Sequence, residues 1–341
     1  MATTKRLTKA EKQDNQIKLL EQELRASKQA GKAIEDQYLK LLSQHKVLTK
    51  EVEALPPPRR LPSPTKGKAK EVSALLTIGD WHAGLVVKPD EVNNYNVYSS
   101  EVLEERINTL LEQFVQWTDI QRKGYRINEV YVVGLGDMID GSIHLENQMF
   151  NEMAPPKQAT YVGDQIAKLL AGLAEHYPKV KYHGLNTDNH SRLTRKPLYT
   201  GRGLWSWGAV AHAVCEARLA NHKKVSVVDC DNIKMELSIR GKEFLFEHGN
   251  DLKAWNGIPY YGIKRLKAQE QMRRAKTKRG PFDYLVMGHW HTFYLEDDCM
   301  INPSMCGTTP YDHAVGRHSP PGQTCMLVGD RGWFNHLRID L

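Results

Sequence analysis

Apolar side chains recur at alternating three- and four-residue steps near the start of the chain. The positions are Ile17, Leu20, Leu24, Ser27, Gly31, Ile34, Tyr38, Leu41, His45, Leu48, Val52 and Leu55. Nine of these twelve are apolar and charged residues occupy the faces between them, a heptad seam sustained over more than five repeats. The seam predicts a helical arm over residues 1–55 that enters a coiled coil, and therefore a homo-oligomer. Ser27 and Gly31 weaken its middle, and His45 is a polar seam position able to fix register. The alternative is one long helix folded back on the rest of the chain. Pro56, Pro57, Pro58, Pro62 and Pro64 cannot continue a helix. With the basic run Thr65–Lys70 behind them, residues 56–71 read as a tether, stiff at first and then flexible.

Residues 72–341 have a different texture. Short β-branched and apolar runs occur at Leu75–Ile78, Val130–Val133, Val180–His183, Val225–Val228, Ile233–Ile239, Phe244–Phe246 and Tyr284–Met287. Further runs lie at Thr292–Leu295, Cys325–Val328 and Phe334–Ile339. Helix-period segments fall at Ser99–Arg122, Thr160–Tyr177, Gly203–His222 and Tyr260–Lys278. Alternating strands and helices predict an α/β domain, and the strand-rich second half predicts another, partly antiparallel sheet.

Composition narrows the class. The 341 residues, 40% of them hydrophobic, suffice for one or two domains with a core. No apolar run reaches 18 residues, and the charged N-terminus lacks a signal core, so neither a membrane span nor a secretory leader is expected. The five cysteines are odd in number and lack CxxC spacing, which suits free thiols in a reducing cytoplasm. The net charge of +7 is concentrated in residues 1–70, where 16 Lys/Arg face 8 Asp/Glu. A second basic excess, eight cations and one Glu, lies at Lys264–Arg279. Either stretch suits a polyanion such as nucleic acid, or a plain solvated face.

The polar residues at the strand ends change the picture most. Leu75–Ile78 runs into Gly79-Asp80-Trp81-His82, and Val130–Val133 into Gly136-Asp137-Met138-Ile139-Asp140. Val180–His183 leads to Asp188-Asn189-His190-Ser191-Arg192, Phe244–Phe246 to His248, and Tyr284–Met287 to Gly288-His289-Trp290-His291. Five strands ending in Asp, His or Asn are hard to explain as core or surface chemistry. These are oxygen and imidazole donors with no thiolate, which suits Mn, with Fe, Zn, Ni or Mg as alternatives. Seven donors, Asp80, His82, Asp137, Asn189, His248, His289 and His291, are too many for one open site and suit two divalent ions sharing a carboxylate.

The ordered pattern DxH, GDxxD, NH, H, GHxH over residues 74–295 resembles the calcineurin-like metallophosphoesterase superfamily, with some likeness to its DNA-repair exonuclease branch. The resemblance implies a two-sheet sandwich flanked by helices, with a dinuclear centre at the sheet edge. It implies that Asp80, His82 and His291 bind one ion, that Asn189, His248 and His289 bind the other, and that Asp137 bridges. It implies that His190 contacts the phosphoryl oxygen or protonates the leaving group, with Asp140 orienting it or a metal ligand. The chain departs from the family pattern at Asp188, where a Gly is usual, and at Ser191, where an acid is usual. Asp140 or Asp188 is then the candidate partner for His190, and Arg192 a candidate phosphate clamp, its fork suiting bidentate contacts.

Among the other residues, His144 is a candidate substrate contact or a loop histidine, and the loop Gly307–Gly322 a candidate rim. Trp81 and Trp290 are expected to wall the pocket; Trp205, Trp207 and Trp255 are expected to pack internally. The expected function is metal-dependent hydrolysis of phosphodiesters by a nuclease that meets DNA or RNA through the arm and Lys264–Arg279. The alternatives are a phosphomonoesterase, acting on phosphoprotein or a small molecule, and a non-catalytic nucleic-acid-binding scaffold.

Overall fold

The computed structural model describes residues 9–53, 69–254, 257 and 259–341. The remaining residues, including Leu55, the expected tether up to Lys68 and Trp255, lie outside the description, as do the side chains of His45, Leu48 and Val52. The chain divides into two compact units, Met1–Gly67 and Lys68–Leu341. The described part of the first is one helix, α1 (Lys9–Glu53). The seam residues Ile17, Leu20, Leu24, Ile34, Tyr38 and Leu41 are all more than half exposed on it.

In the second unit β1 (Lys70–Ile78) begins two residues inside the expected tether. After it come α2 (Ser100–Gln121), β2 (Tyr125–Gly134), α3 (Leu145–Phe150), α4 (Pro155–His176), β3 (Lys179–Leu185), α5 (Trp207–Leu219) and β4 (Val225–Cys230). The second half contains β5 (Lys234–Ile239), β6 (Lys242–Glu247), α6 (Tyr260–Lys276), β7 (Tyr284–Met287), β8 (Tyr294–Leu295), β9 (Cys299–Ile301), α7 (Pro310–Ala314), β10 (Gly322–Gly329) and β11 (Gly332–Asp340). Among the described residues these strands form two sheets, ordered β11-β10-β1-β2-β3-β4 and β5-β6-β7-β9-β8. β1 to β4 run parallel, as do β6, β7 and β9, with antiparallel strands at the edges.

The strand period explains the layering. Successive side chains point to opposite faces, so Ala74, Leu76 and Ile78 of β1 join the core beneath the helices, while Leu75 faces the other sheet. In the same way Phe244 and Phe246 face inward from β6 and Leu245 faces outward towards Ile263 of α6. Helix α2 contributes Leu103, Ile107, Leu110 and Phe114 at three- and four-residue steps, and its N-terminus is capped by Ser99, whose hydroxyl accepts from the Val102 amide. Helix α4 starts earlier than its apolar period suggested, because Pro155 and Pro156 fit the first turn, where no amide partner is lost. The product is a helix–sheet–sheet–helix sandwich. Parallel strands of both sheets deliver their carboxyl ends to one edge.

Candidate metal centre

The strand ends turn sharply. Asp80, His82, Asp137, His289 and His291 all have positive φ, between 46° and 71°. That backbone region is uncommon for residues other than Gly, though Asp, Asn and His enter it most readily. The turns are locked together: the Asp80 amide donates to the Gly136 carbonyl at 3.0 Å and the His82 amide to the Asp137 carbonyl at 3.0 Å. Gly141 has φ +68°, and a Cβ there would lie 2.0 Å from the His190 carbonyl oxygen, so the GDxxD turn closes onto the third motif only with Gly.

All seven expected donors meet at this edge. Ligand atoms of Asp80, His82 and Asp137 lie within 4.8 Å of one another, as do those of Asp137, His248 and His289. The His82 and His291 Nε2 atoms are 3.2 Å apart, and His248 Nε2 is 3.0 Å from Asn189 Oδ1 and 3.0 Å from Asp137 Oδ2. Asp80, fully buried, accepts the His289 amide on both oxygens at 3.0 Å.

The outer nitrogens set the tautomers. His248 Nδ1 faces the Leu135 carbonyl at 2.9 Å, which only accepts, so Nδ1 carries a proton. His82 Nδ1 donates to Asp140 Oδ1 at 3.0 Å and His291 Nδ1 to Asp312 Oδ2 at 3.2 Å. With neutral rings, two Nε2 lone pairs then face each other, and a third points at two oxygen acceptors. Such a gathering of acceptors is stable only around positive charge, which bound cations or, without them, protons on the imidazoles supply: against the effect of burial, the Asp137 and Asp80 carboxylates hold His248 up to about 10. Among the described residues no Lys or Arg side chain is hydrogen-bonded or ion-paired to Asp80 or Asp137. Divalent ions fit this donor set. Burial pushes the Asp137 carboxyl up, but the imidazoles of His248, His190 and His82 outweigh it and hold the group well below the ordinary carboxylate range. Burial raises Asp80, and burial lowers His289 well below the usual imidazole range.

His190 stands beside the donors, its ring 4.5 Å from that of His82. Its Nδ1 donates to the Asp140 carbonyl at 2.8 Å and its amide to Asp137 Oδ1 at 3.1 Å. Asp140 therefore positions two imidazoles, His82 through its carboxylate and His190 through its carbonyl. Asp188 is engaged elsewhere: its carboxylate takes the Ser191 amide at 2.6 Å and the Ser191 hydroxyl at 2.7 Å. The two departures from the family pattern thus pair with each other. Arg192 is not among the residues lining the cavity over the donors, and its Nη2 donates to the Arg195 carbonyl at 3.1 Å.

That cavity, about 1450 Å³, is walled by His144, Trp290 and part of the 307–322 loop. Trp81, expected in the wall, is fully buried in the core beneath the helices instead. Trp205, expected inside, is 63% exposed. Two groups escaped the sequence reading. Asp312, fully buried, receives His291 Nδ1 and pairs with Arg317 at 2.9 Å. Cys306 places its sulfur within 4.8 Å of His82 and His291 nitrogens, and burial pushes its thiol well up. The Thr309–Asp312 spacing is a capping box, a visible sign of α7, but nothing in it points to His291.

Half of the basic excess at Lys264–Arg279 is already paired. Lys267 binds Asp298, while Arg273, Arg274 and Arg279 share Glu236 on β5, and Arg273 also binds Glu270. Lys264, Arg265, Lys276 and Lys278 have no carboxylate partner among the described residues. Among the described residues no helix is long and apolar enough to cross a membrane.

No family model matches the sequence, and no curated protein does. Solved structures do. A zinc-complexed Vps29 from Entamoeba histolytica is 10% identical, with 78% of this chain and 99% of that one covered and a TM-score of 0.30. A predicted phosphoesterase from Streptococcus pneumoniae TIGR4 is 8% identical over 79% and 99%, with a TM-score of 0.29. A dimetal phosphatase from Danio rerio is 9% identical over 80% and 99%, with a TM-score of 0.35. With likeness this distant, the donor geometry of the chain itself carries the functional reading. In its motif order and its two-sheet architecture the chain resembles the calcineurin-like metallophosphoesterase superfamily.

Proposed function

We propose that the chain is a dinuclear-metal phosphoesterase that hydrolyses phosphodiesters, a nuclease acting on DNA or RNA. The observation behind the reading is the convergence of seven Asp, His and Asn donors whose lone pairs face one another around Asp137. Asp80, His82 and His291 would hold one ion and Asn189, His248 and His289 the other, Asp137 lying between; Mn is the preferred metal, with Fe, Zn, Ni or Mg as alternatives. The chemistry two such ions would supply when bound is neutralisation of phosphate charge and hydroxide near neutral pH.

The protein's own part is to hold groups. Asp140 and Asp312 fix the proton of His82 and His291 on Nδ1. His190 lines the cavity, held at Nδ1 by the Asp140 carbonyl; burial lowers its pKa but the Asp137 and Asp140 carboxylates outweigh that and raise it, and in the imidazolium form its Nε2–H can donate to a leaving oxygen. Support for nucleic acid comes from the 16-to-8 cation excess of residues 1–70 and the four cations around α6 that have no carboxylate partner among the described residues. A specific observation favours the second reading, a phosphomonoesterase: the other four cations of that stretch are neutralised by carboxylates.

The deciding experiment gives the Mn-loaded protein single-stranded DNA, linear duplex, RNA, p-nitrophenyl phosphate and bis(p-nitrophenyl) phosphate, with His190→Ala as control. Cleavage of nucleic acid, lost in His190→Ala, supports the nuclease. Monoester turnover with nucleic acid left intact overturns it, and a purified protein that retains no metal points to a scaffold.

A further inference from the structure

The mouth of the cavity is built unlike its floor. Helix α3 has no buried residue, and it exposes Leu145 (70%), Met149 (64%) and Phe150 (70%). Across the opening, α7 and the residue after it expose Tyr311 (67%) and Val315 (50%). Leu145, Phe150, Tyr311 and Val315 all line the cavity that contains the donors. Both short helices are tied to the centre: Asn147 of α3 donates to the Asp140 carbonyl at 2.9 Å, and Asp312 of α7 holds His291 at 3.2 Å. Apolar side chains fixed this far from any core have no folding role that offsets their hydration.

Above the floor the cavity is lined by Glu91 and Glu146, and its one Lys or Arg among the described residues, Arg317, is spent on Asp312 and on the Tyr311 ring, 5.3 Å away. A duplex presents rows of phosphates and requires rows of Lys and Arg to meet them. A single strand carries one row of phosphates, whose cations must come from outside this cavity, and each unpaired nucleotide offers an uncharged planar base that stacks on aromatic and apolar side chains. The α3 and α7 side chains form one part of the wall above the floor, with Leu85, Val86, Ala254 and Trp290 on the rest, so a group esterified to a phosphate held by the donors can lie across them.

We propose that α3 and α7 form an apolar shelf that receives the base next to the scissile phosphate, so that the enzyme takes single-stranded or frayed ends and leaves paired duplex alone. The inference rests on the nuclease reading and names the substrate class of that site. Phe150 and Tyr311 are the stacking residues, and Leu145 and Val315 close the shelf around them.

The test uses full-length, Mn-loaded protein and a fluorescein-labelled oligothymidylate, read both by anisotropy and by cleavage, beside a blunt duplex of equal length. The Kd and KM for the single strand should rise roughly 5- to 100-fold in Phe150→Ala and in Tyr311→Ala. Phe150→Trp should restore them, and the Ki of inorganic phosphate and the metal content should stay at wild-type values. Single-strand cleavage by the wild type with unchanged Kd and KM in both variants overturns the shelf while leaving the nuclease intact. A matching loss of phosphate inhibition also overturns it, showing that α3 and α7 only brace the metal ligands. So does a fall in oligomer mass of Phe150→Ala without an effect on the strand, because a second copy then covers the shelf. Turnover of p-nitrophenyl phosphate with no binding of the oligonucleotide removes the nuclease reading, and the shelf with it.

Discussion

The two halves of the centre hold their imidazoles by different means. On the side built from β1 and β7, His82 and His291 give their Nδ1 protons to carboxylates, Asp140 at 3.0 Å and Asp312 at 3.2 Å. On the side built from β3 and β6, His248 gives its proton to the Leu135 carbonyl at 2.9 Å, and the neighbouring oxygen donor is the amide of Asn189. A carboxylate behind the ring raises ligand basicity and fixes orientation, but it is a side chain that one substitution removes. A carbonyl does the second task only, and no substitution deletes it. One half should therefore bind more tightly and be the more vulnerable to mutation.

The comparison breaks most completely at the residue common to both halves. Asp137→Asn should abolish turnover and lower the metal content below the proposed two ions per chain, read by elemental analysis of the purified protein; full occupancy would place the bridge elsewhere. His190→Ala belongs to neither half. It should lower kcat by about 10²- to 10⁴-fold while leaving both ions bound, so a parallel loss of metal would make His190 a ligand. Asp312→Asn should weaken one ion by about 10- to 100-fold and spare the other, seen as a split of the calorimetric titration into two unequal steps. Equal weakening of both would show that α7 supports the edge as a whole.

The smallest effect concerns a buried histidine outside the centre. His212 lies between Tyr182, 2.8 Å away, and Asn186, 2.5 Å away, with no carboxylate in direct contact among the described residues, and burial, outweighing nearby Asp229, lowers its pKa to about 4. The unfolded chain binds this proton near pH 6.5 and the folded chain only near 4. The stabilising contribution is thus fully present above pH 6.5 and is lost as the pH falls to 4, by roughly 3 kcal/mol at most. Urea unfolding at pH 7 and pH 4.5 should show a smaller drop for His212→Gln than for the wild type; equal drops would refute the assignment.

Much of the centre was legible in the chain because its donors follow directly on apolar strand runs. Parallel strands place such ends on one edge without further information, so DxH, GDxxD, NH, H and GHxH could be collected as a set. What stayed hidden was decided by packing. Asp312 lies 21 residues beyond His291, and only the fold of the 302–321 segment returns it to that ring. β9 and the helices α3 and α7 are three to six residues long, too short for a period to show. Trp81 and Trp290 occupy equivalent places between donors, yet Trp81 is enclosed under helices while Trp290 meets the cavity. The Lys264–Arg279 charge looked free because its partners, Glu236 and Asp298, belong to other strands and loops.

The left-handed turns at the strand ends have a thermodynamic consequence. Each non-glycine residue held there costs about 1–2 kcal/mol, and five of the proposed ligands are so held. The edge is in that sense spring-loaded: part of the intrinsic affinity for the proposed ions would be consumed in keeping the backbone bent. The apoprotein has less reason to keep it so. Amide hydrogens at 80–83, 137–140 and 289–291 should exchange with solvent faster after chelation than before, while those in the middle of β1 and β2 keep their rate. Ion binding would then be recorded in the backbone as a local stiffening, ahead of any chemistry on a substrate.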